Sequence, residues 1–230
     1  WRSVALRASA EDWAPAGRLP TRLGVPLAPV HTHTFPDGEC LPRVRKAAQT
    51  TLVYRSLDRP NTKLVELLLA ADAWRRNGAH RLVLVAPYLP YMRQDKAFSE
   101  GEPVSQRVVS SLLDSAFDRI VTVDPHLHRT ASLASLFNRA ECTAVHGGDA
   151  LIPLLRSSPF ANGLVVVGPD AESEQWASHV AEGLGLRYDV LAKERRGDRD
   201  VVLSVPDGLD VRGASVLLVD DICSSGATLA

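Results

Sequence analysis

Cysteine is scarce. The 230-residue chain holds only three, Cys40, Cys142 and Cys223. They are too few and too widely spaced for a disulfide framework or a zinc-ligand pattern, which fits a reducing compartment such as the cytoplasm. An excess of either charge is also missing: 26 Lys and Arg face 27 Asp and Glu, for a formal net charge of -1. That balance gives no electrostatic footprint for nucleic acid or for an anionic membrane surface. No apolar stretch approaches the roughly 20 residues that a membrane-spanning helix needs. Neither a secretory signal nor a low-complexity segment is visible. What remains is 45% hydrophobic and 23% charged residues, enough for one large or two small domains. The chain begins at Trp1 and stops at Ala230, where a loop should become a helix. The natural sequence is therefore expected to continue.

Strand-like runs alternate with helical patterns. Strands are predicted at 3–6, 26–30, 51–54, 81–86, 119–123, 164–167, 187–191, 201–205 and 215–219. The clearest helix covers 61–77, with Asn61 as N-cap and Gly78 as the stop. Leu64, Leu67, Leu68, Ala71 and Trp74 share its apolar face. A second helix follows Pro103 with a stripe of Val104, Val108, Leu112 and Phe117. A third covers 172–182 with Trp176 and Val180 inward. Such alternation argues for an α/β fold with parallel sheets. The pattern runs twice. The second unit opens at His146, and Gly147 and Gly148 supply a hinge or turn. The expected domains are 1–145 and 146–230, the second incomplete.

The C-terminal segment is the most specific. The apolar run 216–219 reads as a buried parallel strand. Asp220 and Asp221 follow at its carboxyl end, and then a small-residue loop of Cys223, Ser224, Ser225, Gly226, Ala227 and Thr228. Ligands of open α/β sheets sit beyond the carboxyl ends of the strands. Small residues let backbone amides close around a phosphate at a helix N-terminus. Adjacent carboxylates accept hydrogen bonds from vicinal hydroxyls. The segment asks for a phosphate and a diol together, as in a ribose phosphate; the alternative is an ordinary strand-to-helix turn.

Five further strand-end or turn segments carry chemistry. Pro36, Asp37 and Gly38 make a turn by themselves. They form either a hairpin tip or, with Phe35 stacking on a base and Asp37 and Glu39 accepting from an exocyclic amine, an adenine site. Arg93, Gln94, Asp95 and Lys96 follow strand 81–86, where Arg offers a fork of donors to phosphate. Asp124, His126 and His128 follow strand 119–123. No third zinc ligand at the usual spacing is evident, so His126 is read as acting near a phosphate or its Mg²⁺, and His128 stays unassigned. Asp170 follows strand 164–167 as a Mg²⁺ ligand or as the N-cap of the next helix. The charged segment 193–199, with Lys193 and Arg195, is either a solvated mobile loop or a source of cations for phosphoryl transfer.

Taken in order, these residues resemble the ribose-phosphate pyrophosphokinase (PRPP synthetase) family. Phe35, Asp37, Gly38 and Glu39 are similar to its adenine-binding loop, and Arg93, Gln94 and Asp95 to its ATP-binding triplet. Asp124 and His126 resemble the segment whose His contacts ATP phosphates and metal. Pro169 and Asp170 resemble the one whose Asp serves the second metal and ribose phosphate. Lys193 and Arg195 match the catalytic-loop cations, and Asp220, Asp221 and 223–228 the ribose 5-phosphate loop. The resemblance implies two tandem phosphoribosyltransferase-type domains. It also implies Mg²⁺-dependent transfer of pyrophosphate from ATP to the 1-hydroxyl of ribose 5-phosphate, giving PRPP and AMP. A homodimer or larger homo-oligomer, with the adenine loop at the subunit interface, is expected with it.

The sequence departs from the family pattern at Ala171, Glu172, Ser173 and Glu174, where small residues are usual, and at Ser224 and Ala227. Segment 96–103 is closer to archaeal-type members. Three other functions stay open on these residues: a catalytically silent regulatory subunit, a phosphoribosyltransferase that consumes PRPP, and a nucleotide sensor without chemistry.

Overall fold

The computed structural model describes residues 4–45, 47–159, 163–195, 201–204, 209 and 211–222. It divides into two compact units, Trp1–Val145 and His146–Ala230.

In the first unit the chain runs β1 (Val4–Ala8), α1 (Trp13–Ala16), α2 (Leu19–Leu23), β2 (Leu27–Pro29), β3 (His31–Thr34), β4 (Cys40–Arg43), β5 (Thr50–Tyr54), α3 (Pro60–Arg76), β6 (Arg81–Ala86), α4 (Ser105–Ala116) and β7 (Arg119–Val123). A 3₁₀ turn (Leu133–Leu136) and β8 (Glu141–Val145) complete it. Six strands form one sheet in the order β2-β1-β5-β6-β7-β8, and every pairing is parallel. The strand order reverses between β1 and β5, which makes that crevice the topological switch point. Strands β3 and β4 pair only with each other, antiparallel, as a hairpin. The core joins Leu82, Leu84 and Ile120 of the sheet to Leu64, Leu67 and Trp74 of α3 and Leu113 of α4.

The second unit opens with α5 (Gly148–Arg156) and β9 (Leu164–Gly168). A 3₁₀ turn (Ala171–Ser173), α6 (Glu174–Leu184), β10 (Tyr188–Val190), β11 (Ala192–Arg195), β12 (Val201–Ser204) and β13 (Ser215–Leu218) follow. A parallel sheet has the order β10-β9-β13. All five residues of β9 are buried, as expected for a central parallel strand covered on both faces. Trp176, Ala177, Val180 and Ala181 bury one face of α6.

Several expectations need correction. Asn61 is not the N-cap of α3. Arg59, in the left-handed region at φ 50°, precedes a helix that starts at Pro60. Pro supplies helical φ and lacks the amide that a cap would satisfy. Asn61 Oδ1 instead accepts a hydrogen bond from the Tyr91 hydroxyl. The stripe expected on α4 is on the wrong face in its middle: Val108 and Leu112 are 55% and 41% exposed, while Phe117, just past the helix, is buried as expected. The buried face carries Gln106, Val109, Ser110, Leu113 and Asp114. Two polar side chains go inward because each finds partners. Gln106 Nε2 donates to the Met92 carbonyl at 3.0 Å. Asp114 accepts from the amides of Asn138, Arg139 and Ala140 at 2.8–3.1 Å.

Residues 201–205 were expected as a further sheet strand. The strand found there, β12, pairs only with β11, in a two-stranded antiparallel ribbon. The glycine pair at 147 and 148 opens α5 rather than forming a hinge. A Cβ on Gly148 would lie 2.9 Å from Val180 Cγ2, so glycine lets α5 approach α6 closely. β8 and α5 were not anticipated.

Candidate functional site

Function-bearing loops leave the carboxyl ends of both parallel sheets. Among the described residues of the first unit, three non-glycine residues have positive φ: Arg59 at 50°, Tyr91 at 64° and Asp124 at 37°. They lie in the loops after β5, β6 and β7 respectively. Such conformations cost of order 1–3 kcal/mol each and gather where a site demands a particular backbone path. Asp124 is held there by its amide, which donates to the Val145 carbonyl at 3.0 Å.

The loop after β6 presents Arg93 and Gln94 at the surface, while Asp95 turns inward with a side chain 4% exposed. Arg129, from the loop after β7, donates from Nη2 to Asp95 Oδ1 at 2.9 Å and from Nε at 3.3 Å. Burial pushes the Asp95 carboxyl upward, but the hydrogen bonds and charge of Arg129 outweigh it and hold the group below the usual carboxylate range. Thr130 ties the loop after β7 to α4, its hydroxyl donating to Gln106 Oε1 at 3.2 Å, and Gln106 in turn donates to the Met92 carbonyl in the loop after β6. Arg93, Gln94 and Asp95 thus belong to a loop clasped to the one that carries His126. The His126 ring is half-buried, 6.5 Å from that of His128. Arg129 was not singled out in the sequence. The available signal was a cation three residues beyond His126, in a strand-end loop neighbouring one that holds a carboxylate.

The segment with Phe35 is the tip of the β3–β4 hairpin. Gly38 N–H donates to the Phe35 carbonyl at 3.0 Å, and Phe35 N–H to the Glu39 carbonyl at 2.8 Å. Gly38 takes φ 92°, which explains the glycine. Asp37 Oδ1 accepts from the Glu39 amide at 3.1 Å. Phe35 is 38% exposed and meets the His33 ring edge-on at 4.6 Å between centroids. The hairpin-tip reading therefore holds, and it leaves an exposed aromatic ring beside two exposed carboxylates.

In the second unit Asp170, Asp220 and Asp221 follow two adjacent parallel strands, β9 and β13. Asp170 caps the 3₁₀ turn. Its Oδ1 accepts from the Glu172 amide at 3.1 Å, and its own amide donates to Ser173 Oγ at 3.3 Å. The departure at Ser173 thus completes a capping box. Asp220 Oδ1 accepts from the Asp221 amide at 2.9 Å. Burial pushes the Asp220 carboxyl up to about 6; the charges of Asp221 and Asp170 add to this, and the Asp221 amide works against it. Among the described residues no three His, Cys, Asp or Glu side chains gather as a metal cluster. Mg²⁺ does not require one, since it takes one or two carboxylates and completes its shell with water and phosphate oxygens. The three carboxylates at two adjacent strand ends are oxygen donors of the kind Mg²⁺ takes.

Lys193 and Arg195 stand on β11, in register with Leu203 and Val201 of β12. They were expected in a mobile loop; they lie instead on a strand leading into 196–200. Residues 223–228, the expected phosphate loop, lie outside the described residues. Among the described residues no helix is long and apolar enough to cross a membrane.

Both units resemble known proteins. Residues 13–116 match the family model of the N-terminal domain of ribose phosphate pyrophosphokinase. Residues 149–230 match that of the phosphoribosyl transferase domain. Ribose-phosphate pyrophosphokinase of Methanopyrus kandleri is 37% identical over 214 residues, which covers 92% of this chain and 72% of the relative. That of Pyrococcus furiosus is 35% identical, covering 89% and 71%. The crystal structure of phosphoribosylpyrophosphate synthetase from Mycobacterium smegmatis superposes with a TM-score of 0.81 at 29% identity, covering 99% of this chain and 74% of that one.

Proposed function

The chain belongs to the ribose-phosphate pyrophosphokinase family, and from that premise we propose that it transfers the pyrophosphoryl group of ATP to O1 of ribose 5-phosphate. The new bond joins O1 to the β-phosphorus. The bond from that phosphorus to the oxygen of the α-phosphate breaks, AMP leaves, and the proton of the 1-hydroxyl goes to solvent. The observation that carries the reading is the group of Asp170, Asp220 and Asp221 at two adjacent strand ends, with Asp220 pushed up to about 6. Hydroxyl donors and a cation relieve that arrangement; an apolar ligand does not.

Phosphoryl transfer asks a protein for positioning and electrostatics more than for covalent chemistry. In this reading Phe35 stacks on the adenine, while Asp37 and Glu39 accept from its amine. Arg93 and Gln94 hold phosphate oxygens, and Asp95 orients its loop through Arg129. Asp220 and Asp221 accept from the vicinal hydroxyls of the pentose, and the amides of 223–228 take its 5-phosphate. Lys193 and Arg195 neutralise the charge that develops as the bridging bond breaks. His126 on the first unit and Asp170 on the second would each serve as a Mg²⁺ ligand on its own unit; a bound Mg²⁺ would draw charge from the phosphate oxygens. A homodimer or larger homo-oligomer, with the hairpin at an interface, belongs to the same proposal.

The test uses ATP labelled at the β-phosphorus, with Mg²⁺ and ribose 5-phosphate. The label is expected in the sugar product and absent from the nucleotide. Label retained in ADP would replace this reaction with γ-phosphoryl transfer.

A further inference from the structure

The switch-point crevice between β1 and β5, where an open α/β sheet ordinarily receives its ligand, is filled by a buried ion network. Arg55, just after β5, has a side chain 7% exposed. Its Nη1 reaches Asp12 Oδ2 at 2.9 Å and Glu11 Oε2 at 3.2 Å, and also donates to the Ser9 hydroxyl. Its Nη2 reaches Glu66 Oε2 on α3 at 2.5 Å. Asp12 and Glu66 are themselves 5% and 14% exposed. A charge group this dry holds its geometry closely, because a buried guanidinium that loses a partner is strongly disfavoured.

Glu66 uses its second oxygen elsewhere: Oε1 accepts a hydrogen bond from the Thr32 hydroxyl on β3. Cys40, on the other strand of that hairpin, also senses Glu66, since burial and then the Glu66 charge raise its thiol pKa. The hairpin needs such an anchor. Its two strands pair only with each other, and an isolated two-stranded hairpin is marginal in water. Three residues beyond Thr32 is Phe35, whose ring rests edge-on against His33.

We infer that Thr32 and Glu66 are positioning residues for the adenine end of the nucleotide. The chain Arg55–Glu66–Thr32 fixes the hairpin, and with it Phe35, Asp37 and Glu39, to the carboxyl end of β5 inside the sheet. The inference rests on the proposed reading that this hairpin takes adenine. It assigns to the crevice an anchoring role in place of a ligand.

The test compares the parent chain with Thr32→Val, which keeps side-chain shape and removes the donor, and Thr32→Ser, which restores it. Thr32→Val is expected to raise KM for ATP about tenfold, the size expected for losing a hydrogen bond to a charged group. Turnover at saturating ATP, KM for ribose 5-phosphate and the melting temperature should stay near the parent's, and Thr32→Ser should recover the parent KM. Glu66→Gln keeps an acceptor but drops the charge, and is expected to give a smaller rise of the same kind. An unchanged KM for ATP in Thr32→Val, or equal changes for both substrates, would overturn the inference while leaving the proposed function standing. A parent chain that binds no ATP would remove the function, and the inference with it.

Discussion

Asp220 is the residue whose chemistry is most exposed to test. Its carboxyl is raised to about 6 from an ordinary 3.8, burial being the main cause. A raised acid holds its proton longer folded than unfolded. Its contribution to stability is therefore fully present below about pH 4 and is lost as pH rises toward about 6. Chemical denaturation between pH 4 and 7, without ligand, should show this slope in the parent chain and a flatter one in Asp220→Asn. Affinity for ribose 5-phosphate should climb over the same window, because the ionised carboxylate accepts from the pentose hydroxyls without giving up an oxygen to its own proton. Lys193→Ala should lower kcat by several orders of magnitude with little change in ATP affinity, since the cation acts on the transition state. Near-parent turnover would remove Lys193 from that role. The strand-end positions of Asp170, Asp220 and His126 were legible because a short apolar run precedes each. Arg129, Glu66 and Thr32 were not, because their roles come from contacts made 34 residues along the chain.

At the scale of elements, the packing of β9 against the cap of α6 rests on Gly168. A Cβ there would run into Ser173 Oγ and, at 2.8 Å, into Val190 Cγ1. Gly168→Ala should lower unfolding free energy by about 1–3 kcal/mol, as overpacking typically does, and loosen the capping box that holds Asp170; denaturant titration measures it. Most strands of both parallel sheets were legible because their apolar runs are short and bounded by turn residues. The α4 face was misread because an apolar stripe was taken for the buried one. Asp114 and Gln106 go inward on hydrogen bonds to amides 24–26 residues from Asp114 and to a carbonyl 14 residues from Gln106. The β3–β4 hairpin was legible only at its turn, since Pro42 and the polar residues of its strands obscure any strand pattern.

At the scale of the whole molecule, the first unit carries a closed core of its own around Trp74, Leu84 and Phe117. Residues 1–145 expressed alone should unfold in a single cooperative transition. The two-unit arrangement could be anticipated because strand–helix alternation restarts after 145. The ribbon β11–β12 was legible only in its second strand, expected at 201–205; the charged run Lys193, Glu194 and Arg195 of β11 carries no periodic signal. The most direct measurement is the yield of AMP against PRPP from the full chain supplied with ATP, Mg²⁺ and ribose 5-phosphate. The account expects the two in equal amounts, with no AMP when ribose 5-phosphate is left out. Binding of both substrates without AMP would contradict it and make the chain a silent member of its family.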